Sequence, residues 1–194
     1  MPGPVVVAGD RVTFRTVERD DAAFRQQAST HPRVRHSLGV ARHRNEAEAG
    51  GLVEAMDEGE DRLAFVVCLD GDDAPAGHPS ADETTPIGLV HAYRIGEERA
   101  HLAYWLLPEF HGDGYGTELA ELLVDRTFRV SSVHSVGAGA FAHNEPSRRI
   151  LESLGFTEEY RSREAEYVDG AYRDFLQYGL LRREWAARGS PTEQ

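Results

Sequence analysis

Polar and apolar residues alternate from Arg11 to Val17, with Val12, Phe14 and Thr16 on one side and Thr13, Arg15 and Val17 on the other, which predicts a strand. Glu18 to Ser29 reads as a helix with Asp20 and Asp21 in its first turn, where acid suits the helix dipole. Pro32 interrupts it, and a short turn through Arg35 to Leu38 follows. Asn45 is placed to cap a second helix running to about Glu58, with Gly59 as its stop. The apolar run Leu63 to Leu69 predicts a strand covered on both faces. Asp70 to Pro86 offers no apolar side chain larger than alanine, so it predicts a mobile loop, a long hairpin connection. Ile87 to Ile95 and Ala100 to Leu107 are two further strands joined by the polar turn Gly96 to Arg99.

Helical spacing returns at Thr117 to Val130, where Leu119, Ala120, Leu123, Val124 and Phe128 share one face. Val133 to Ala142 predicts a strand rich in small residues, and Asn144 to Leu154 a helix ended by Gly155. Phe156 to Val168 and Ala171 to Leu181 predict a hairpin across Asp169-Gly170, a strong two-residue turn signal. Residues 1–10 and 186–194 read as tails around one α/β domain spanning 11–185, with no repeat or linker dividing it.

Charge narrows the partners. The chain carries 33 acidic against 21 basic residues, a formal net charge of -12, and every basic residue is arginine. Such a surface repels phosphate backbones, which argues against direct nucleic-acid binding and favours cationic partners such as amines or basic protein tails. The acidity also resembles, moderately, that of a halophilic organism or of GC-rich coding. No apolar run approaches the roughly 20 residues that cross a bilayer, and Met1 to Asp10 lacks the basic-then-apolar pattern of a secretory signal, so a cytoplasmic protein is expected. The single cysteine, Cys68, excludes an internal disulfide and a thiolate zinc cluster, and no metal is expected. Its place in the Leu63 to Leu69 run predicts an inert thiol.

The segment Trp105-Leu-Leu-Pro-Glu-Phe-His111-Gly112-Asp113-Gly114-Tyr115-Gly116-Thr117 carries the candidate chemistry. A strand ends, glycines recur at alternate positions, and a helix begins. Glycine permits close approach and positive φ, so successive N–H groups can converge on an anion, and a helix start adds unpaired donors. The segment predicts a pyrophosphate cradle that needs no lysine. It is neither a P-loop, for want of that lysine, nor the G-x-G-x-x-G dinucleotide fingerprint, because the third glycine comes one residue early. Taken alone it can equally be a structural turn.

Its context resembles the GNAT acetyltransferase superfamily. Tyr104-Trp-Leu-Leu-Pro through His111-Gly-Asp-Gly-Tyr-Gly-Thr-Glu118 is similar to that family's acetyl-CoA loop, Q/R-x-x-G-x-G/A. Asn144-Glu-Pro-Ser147, followed by an apolar helix and Gly155-Phe156, is similar to its second motif, N-x-x-S then G-F. The ending from Asp169-Gly170 through Asp174 to Tyr178-Gly-Leu-Leu-Arg-Arg-Glu-Trp185 resembles the RimJ/RimL branch, which acetylates protein N-termini. The resemblance covers roughly Arg11 to Trp185. It implies a single GNAT fold, with a mixed, mostly antiparallel central sheet of about 6–7 strands flanked by about 4 helices.

The same resemblance implies acetyl-CoA as cosubstrate and the residues that hold it. Main-chain amides of Gly112, Asp113, Gly114, Tyr115, Gly116 and Thr117 would take the pyrophosphate. His111 stands where Gln or Arg is usual, and an imidazole with an ordinary pKa of about 6.5 is only partly charged at neutrality. Pantetheine would lie along Leu106 and Leu107, where an amide can polarise the thioester carbonyl. Asn144 reads both as a helix N-cap and as a pantetheine ligand, and Ser147 either as a first-turn residue or as a neighbour of the thioester sulfur.

The transfer implied is direct attack of a primary amine on the thioester, without a covalent enzyme intermediate. An α-amine with pKa near 7.7–8.0 gives up its proton at neutrality for about 1.4 kcal/mol or less, whereas a lysine amine faces roughly 4 to 5 kcal/mol. A weak or water-mediated base therefore suffices for a protein or peptide N-terminus. RimJ/RimL-like sequences often read A-E-I-G-Y-W-L before the loop; here the stretch is Ala100-His101-Leu-Ala-Tyr104-Trp-Leu106, so His101 replaces the usual carboxylate. It is either the base or an exposed strand histidine, with His91 a second candidate. The tyrosine many GNAT enzymes carry seven residues after the motif asparagine is Leu151 here, leaving Ser147 or Tyr104 as the acid or departure helped by solvent. Three readings stay open: an N-terminal acetyltransferase, a small-amine acetyltransferase (polyamine, aminoglycoside or amino acid), and an acetyl-CoA-binding regulatory module. Thr30 to Leu52 is expected to form much of the substrate wall; the family allows a homodimer, although no surface pattern demands one.

Overall fold

The computed structural model describes residues 2–40, 42–57 and 61–189. Among them eight strands form one sheet: β1 (Val5–Ala8), β2 (Thr13–Thr16), β3 (Arg62–Asp70), β4 (Thr84–Tyr93), β5 (Arg99–Leu106), β6 (Ser135–Phe141), β7 (Thr157–Val168) and β8 (Ala171–Leu181). They lie in chain order except that β8 sits between β6 and β7. Every neighbouring pair is antiparallel except β5 and β6, which run parallel and pair only from Arg99↔Ser135 to Leu102↔Ala138. Beyond those four steps β5 continues to Leu106 and β6 to Phe141 without pairing to each other.

Among the described residues six α-helices cover this sheet: α1 (Ala22–Thr30), α2 (Pro32–Ser37), α3 (Glu46–Asp57), α4 (Tyr115–Val130), α5 (Glu145–Ser153) and α6 (Arg182–Ala187). The apolar stripe of α4 buries Leu119, Leu123 and Val124 against Leu102 and Leu106 of β5, with Leu151 of α5 in the same core. On the opposite side a smaller cluster joins Ala28 and Val34 of the first two helices to Leu89 and Trp105, and Phe24 stacks on the Trp105 indole at 5.3 Å. Side-chain alternation explains the division, since successive strand residues point to opposite faces. The β7–β8 hairpin turns at Asp169 (φ 48°) and Gly170 (φ 80°), the paired positive φ of a two-residue turn that follows the sheet's twist.

Several elements differ from the sequence reading. The stretch 1–10, read as a tail, holds edge strand β1, whose three valines lie against β2. This strand and the short helices α2 and α6 account for the larger element count. The second helix ends its described part at Asp57, and Gly59 lies outside the described residues, as do 190–194 of the C-terminal tail.

The loop expected to be mobile is tethered. Arg15, on a strand read as simply alternating, is fully buried. Its guanidinium donates to Asp70 (2.9 Å) and to the carbonyls of Gly3 (3.1 Å), Pro75 (2.8 Å) and Gly77 (2.8 Å). Ala76 O also accepts the Val5 N–H at 2.8 Å. A segment with no large apolar side chain is held here through its main chain, by a cation that would be costly to bury without these partners. Burial alone would raise the Asp70 pKa, but the bonds from Arg15 and Thr84 outweigh it and hold it below the usual carboxylate value.

Candidate active site

After β5 the chain makes a single 3₁₀ turn, Pro108–Phe110, and then the glycine segment. Gly112 and Gly114 take φ of +99° and +87°, the left-handed region that disfavours any side chain, and α4 begins at Tyr115. Thr117 and Glu118 N–H both bond back to Gly114 O, so the helix start leaves Tyr115 and Gly116 N–H without an intrahelical acceptor. A Cβ on Gly112 would meet nothing within 4 Å, whereas one on Gly116 would stand 2.8 Å from Ile150 Cδ1. Gly112 therefore borders open space, and Gly116 lets α4 close on α5.

Arg11, which the sequence reading did not single out, locks this loop from outside. Its Nη1 donates to Asp113 O at 2.7 Å, its Nε to Glu118 at 3.0 Å, and its guanidinium lies over the Tyr115 ring at 4.8 Å. A Cβ on Gly114 would come within 3.1 Å of Arg11 Nη2. His111 faces inward, its Nε2 3.1 Å from Leu106 O, so as a donor that nitrogen serves main chain rather than a phosphate.

A cavity of about 510 Å³ begins at this loop and passes through the gap between β5 and β6 to α2. Tyr104, Leu106, His111, Gly112, Gly114, Gly116, Thr117, Asn144 and Ser147, all singled out from sequence, line it together. The structure places four other candidates elsewhere. Leu107 N–H bonds to Ile87 O at 2.8 Å, so its amide faces β4; alternation turns the N–H groups of Tyr104 and Leu106 toward the gap instead. Asp113 and Tyr115 are engaged by Arg11 on the loop's outer side. His101 does not line the cavity: Leu102 beside it does, and on its own face of β5 the first lining residue is Ala103, about 7 Å along the strand.

Tyr104 and Ser147 meet across the gap, hydroxyl to hydroxyl at 3.2 Å. Burial pushes the Tyr104 phenol up to about 12, although its bond with Ser147 works the other way. Asn144 caps α5 by accepting the Ser147 N–H at 3.4 Å, which leaves its side-chain NH₂ for the cavity. Leu151 is 1% exposed in the main core, so the position of the family's tyrosine faces away from the cavity.

His101 stacks on Tyr93 at 5.4 Å, and the His91 ring lies tilted against Tyr93 at 5.1 Å. Burial, with Arg99 and Arg94 nearby, holds the His101 pKa below the ordinary imidazole value despite Glu97. Burial, Arg62 and Arg25 push His91 down to about 4, too weak a base for an amine at neutrality. Cys68 is buried and its thiol pushed up to about 12, chiefly by that burial, so it is no nucleophile. Among the described residues no helix is long and apolar enough to cross a membrane.

Known proteins share this fold. Residues 11–157 match the model of the acetyltransferase (GNAT) domain. The spermidine N(1)-acetyltransferase of Escherichia coli (strain K12) is 24% identical over 178 residues, 91% of this chain and 89% of that one. YdaF of Bacillus subtilis (strain 168), provisionally named a ribosomal N-acetyltransferase, is 33% identical over 100 residues; the alignment spans 50% of this chain and 55% of that relative. The spermidine N-acetyltransferase of Vibrio cholerae, solved with CoA and spermine, superposes with a TM-score of 0.78 at 20% identity, covering 91% of this chain and 98% of that one. Mycobacterium smegmatis RimJ, solved with CoA-disulfide, gives 0.71 at 22% identity, covering 98% and 94%. With its family model, its sheet gap and its glycine loop in agreement, the chain belongs to the GNAT family of N-acetyltransferases, whose cosubstrate is acetyl-CoA.

Proposed function

We propose that this protein transfers an acetyl group from acetyl-CoA to the α-amine of a peptide or protein N-terminus. The single observation that carries the reading is the cavity through the sheet gap, open to an anion-receptive helix start at one end and to α2 at the other. Amides from Gly112 to Thr117 hold the pyrophosphate, with Arg11 fixing the loop. The free N–H groups of Tyr104 and Leu106, with the Asn144 amide, receive the pantetheine chain.

The amine attacks the thioester carbonyl, a C–N bond forms, the C–S bond breaks, and the coenzyme leaves as thiolate. His101, neutral at working pH, takes the amine's proton through water, consistent with its distance from Ala103. A proton moving from a phenol near 12 to a thiolate near 8.5 climbs about 4 to 5 kcal/mol. Tyr104 therefore acts as a hydrogen-bond donor to the departing sulfur rather than as its proton source. A water-mediated base suits an α-amine and serves a lysine or polyamine amine poorly.

Release of coenzyme thiol, followed with acetyl-CoA and a panel of peptides, spermidine and an aminoglycoside, tests this. Peptide turnover with a blocked N-terminus inert is expected. Turnover of spermidine but of no peptide would assign the small-amine reading instead.

A further inference from the structure

The cavity's α2 end runs against the charge of the whole chain. Between His31 and Asn45 the sequence holds four arginines, three histidines and no acid, in a chain whose formal net charge is -12. This segment forms the wall: Val34, Ser37 and Leu38 line the cavity, and Arg33 lies one helical turn before Ser37 on the same side of α2.

Further guanidinium and imidazole side chains gather beside it. Arg35 lies between two imidazoles, its Nη2 3.0 Å from His36 and its Nη1 3.5 Å from His43, and its buried Nε has no partner. His143, next to cavity-lining Asn144, stacks on Phe141 at 5.5 Å. Burial, then the nearby Arg173 and His36, holds its pKa below the ordinary imidazole value. The acids near this segment are Asp169, 3.4 Å from His36, Glu166, beside Gly39 just past α2, and Glu48, which pairs with Arg42 at 3.2 Å. Among the described residues Arg33, Arg35 and Arg173 have no carboxylate within 4.0 Å. Arg33 and Arg35 flank cavity-lining Val34, and guanidinium groups without a carboxylate are donors able to take an oxygen anion.

We infer that the acceptor carries an anionic group next to its amine, a carboxylate-bearing amine such as an N-terminus followed by acidic residues, and that Arg33 and Arg35 select it. The inference rests on the acetyl-transfer reading and narrows its substrate. It also reverses the expectation from net charge, because recognition depends on the local field at the mouth and not on the sum over the surface.

Three peptides sharing an N-terminal serine and differing only at the next three positions, all aspartate, all alanine or all arginine, test it alongside free aspartate and spermidine. The kcat/KM for thiol release at low salt should favour the aspartate peptide over the alanine one by about tenfold, with the arginine peptide and spermidine lower still. Half-molar sodium chloride should compress that ratio toward unity. Arg33→Glu, on an exposed position, should shrink the ratio to about twofold or reverse it, chiefly through KM; acetyl-CoA affinity and melting temperature report whether it folds.

Arg35→Gln should act in the same direction. Free aspartate turned over as well as the aspartate peptide would keep the anion preference and assign it to a small amino acid. Equal rates for the three peptides, or a preference for arginine or spermidine, would overturn the inference while leaving acetyl transfer standing. Silence with all five acceptors would remove both.

Discussion

Where the cavity meets α4, the polar groups are main-chain amides shaped by Gly112 and Gly114; where it meets α2, the wall is made of side chains, Val34, Ser37, Leu38 and Trp105 among them. The first end needs conformation and tolerates many side chains around it. The second needs particular side chains and tolerates many conformations. A coenzyme common to a whole family can be held by backbone, while an acceptor that varies among relatives must be read by residues that vary too.

The largest test of that contrast is Gly114→Val. The branched side chain must adopt a φ of +87° and meets Arg11, a cost of about 1–3 kcal/mol. Acetyl-CoA affinity by calorimetry should fall about tenfold to a hundredfold. The damage comes through loop conformation, since the new atoms point at Arg11 and not along the anion path. Normal affinity in this variant would mean the cradle lies elsewhere.

Tyr104→Phe comes next. It should lower kcat about tenfold to thirtyfold, as loss of a donor to developing charge does, and shift acetyl-CoA affinity by no more than about twofold. An equal loss in kcat and affinity would assign the phenol to binding alone.

His101→Ala should reduce kcat/KM about tenfold and flatten the acid limb of the pH profile. Because the folded imidazole titrates below its ordinary value, the wild-type limb should fall below about pH 6.5. A limb unchanged by the substitution would remove His101 as base. Arg11→Ala is the mildest, with about threefold to fivefold weaker acetyl-CoA binding from a loosened Asp113 carbonyl. Unaltered affinity would show that the glycines hold the loop unaided.

What could be read from sequence was what the chain decides locally. The Asp169-Gly170 turn, the Asn144 cap and the glycine turn into α4 each follow from a few adjacent residues and appear where expected, although α4 starts at Tyr115, two residues before Thr117, and takes Gly116 into its first turn. What escaped was set by distance along the chain. Arg15 meets Asp70 across 55 positions, and Arg11 meets Asp113 across 102. Nothing near Arg15 distinguishes it from a surface residue on an alternating strand. The Leu107 amide was misassigned because which of two neighbouring amides faces the gap depends on pairing with Ile87, a fact of register. The basic run at 31–45 was legible as composition; its meaning required seeing α2 at the cavity.

β5 and β6 part after four paired residues, so the sheet has a seam through its middle. If the pantetheine chain stitches it, the amide hydrogens of Tyr104 and Leu106 should exchange with deuterium more slowly in the complex than in the free protein. Ligation then does two things at once: it loads the reactive group and it finishes the architecture. By mass action, a hundredfold excess over the dissociation constant adds about 2.7 kcal/mol of stability. Abundance of such a protein in a cell would track the supply of its own donor, falling by proteolysis when that supply runs short.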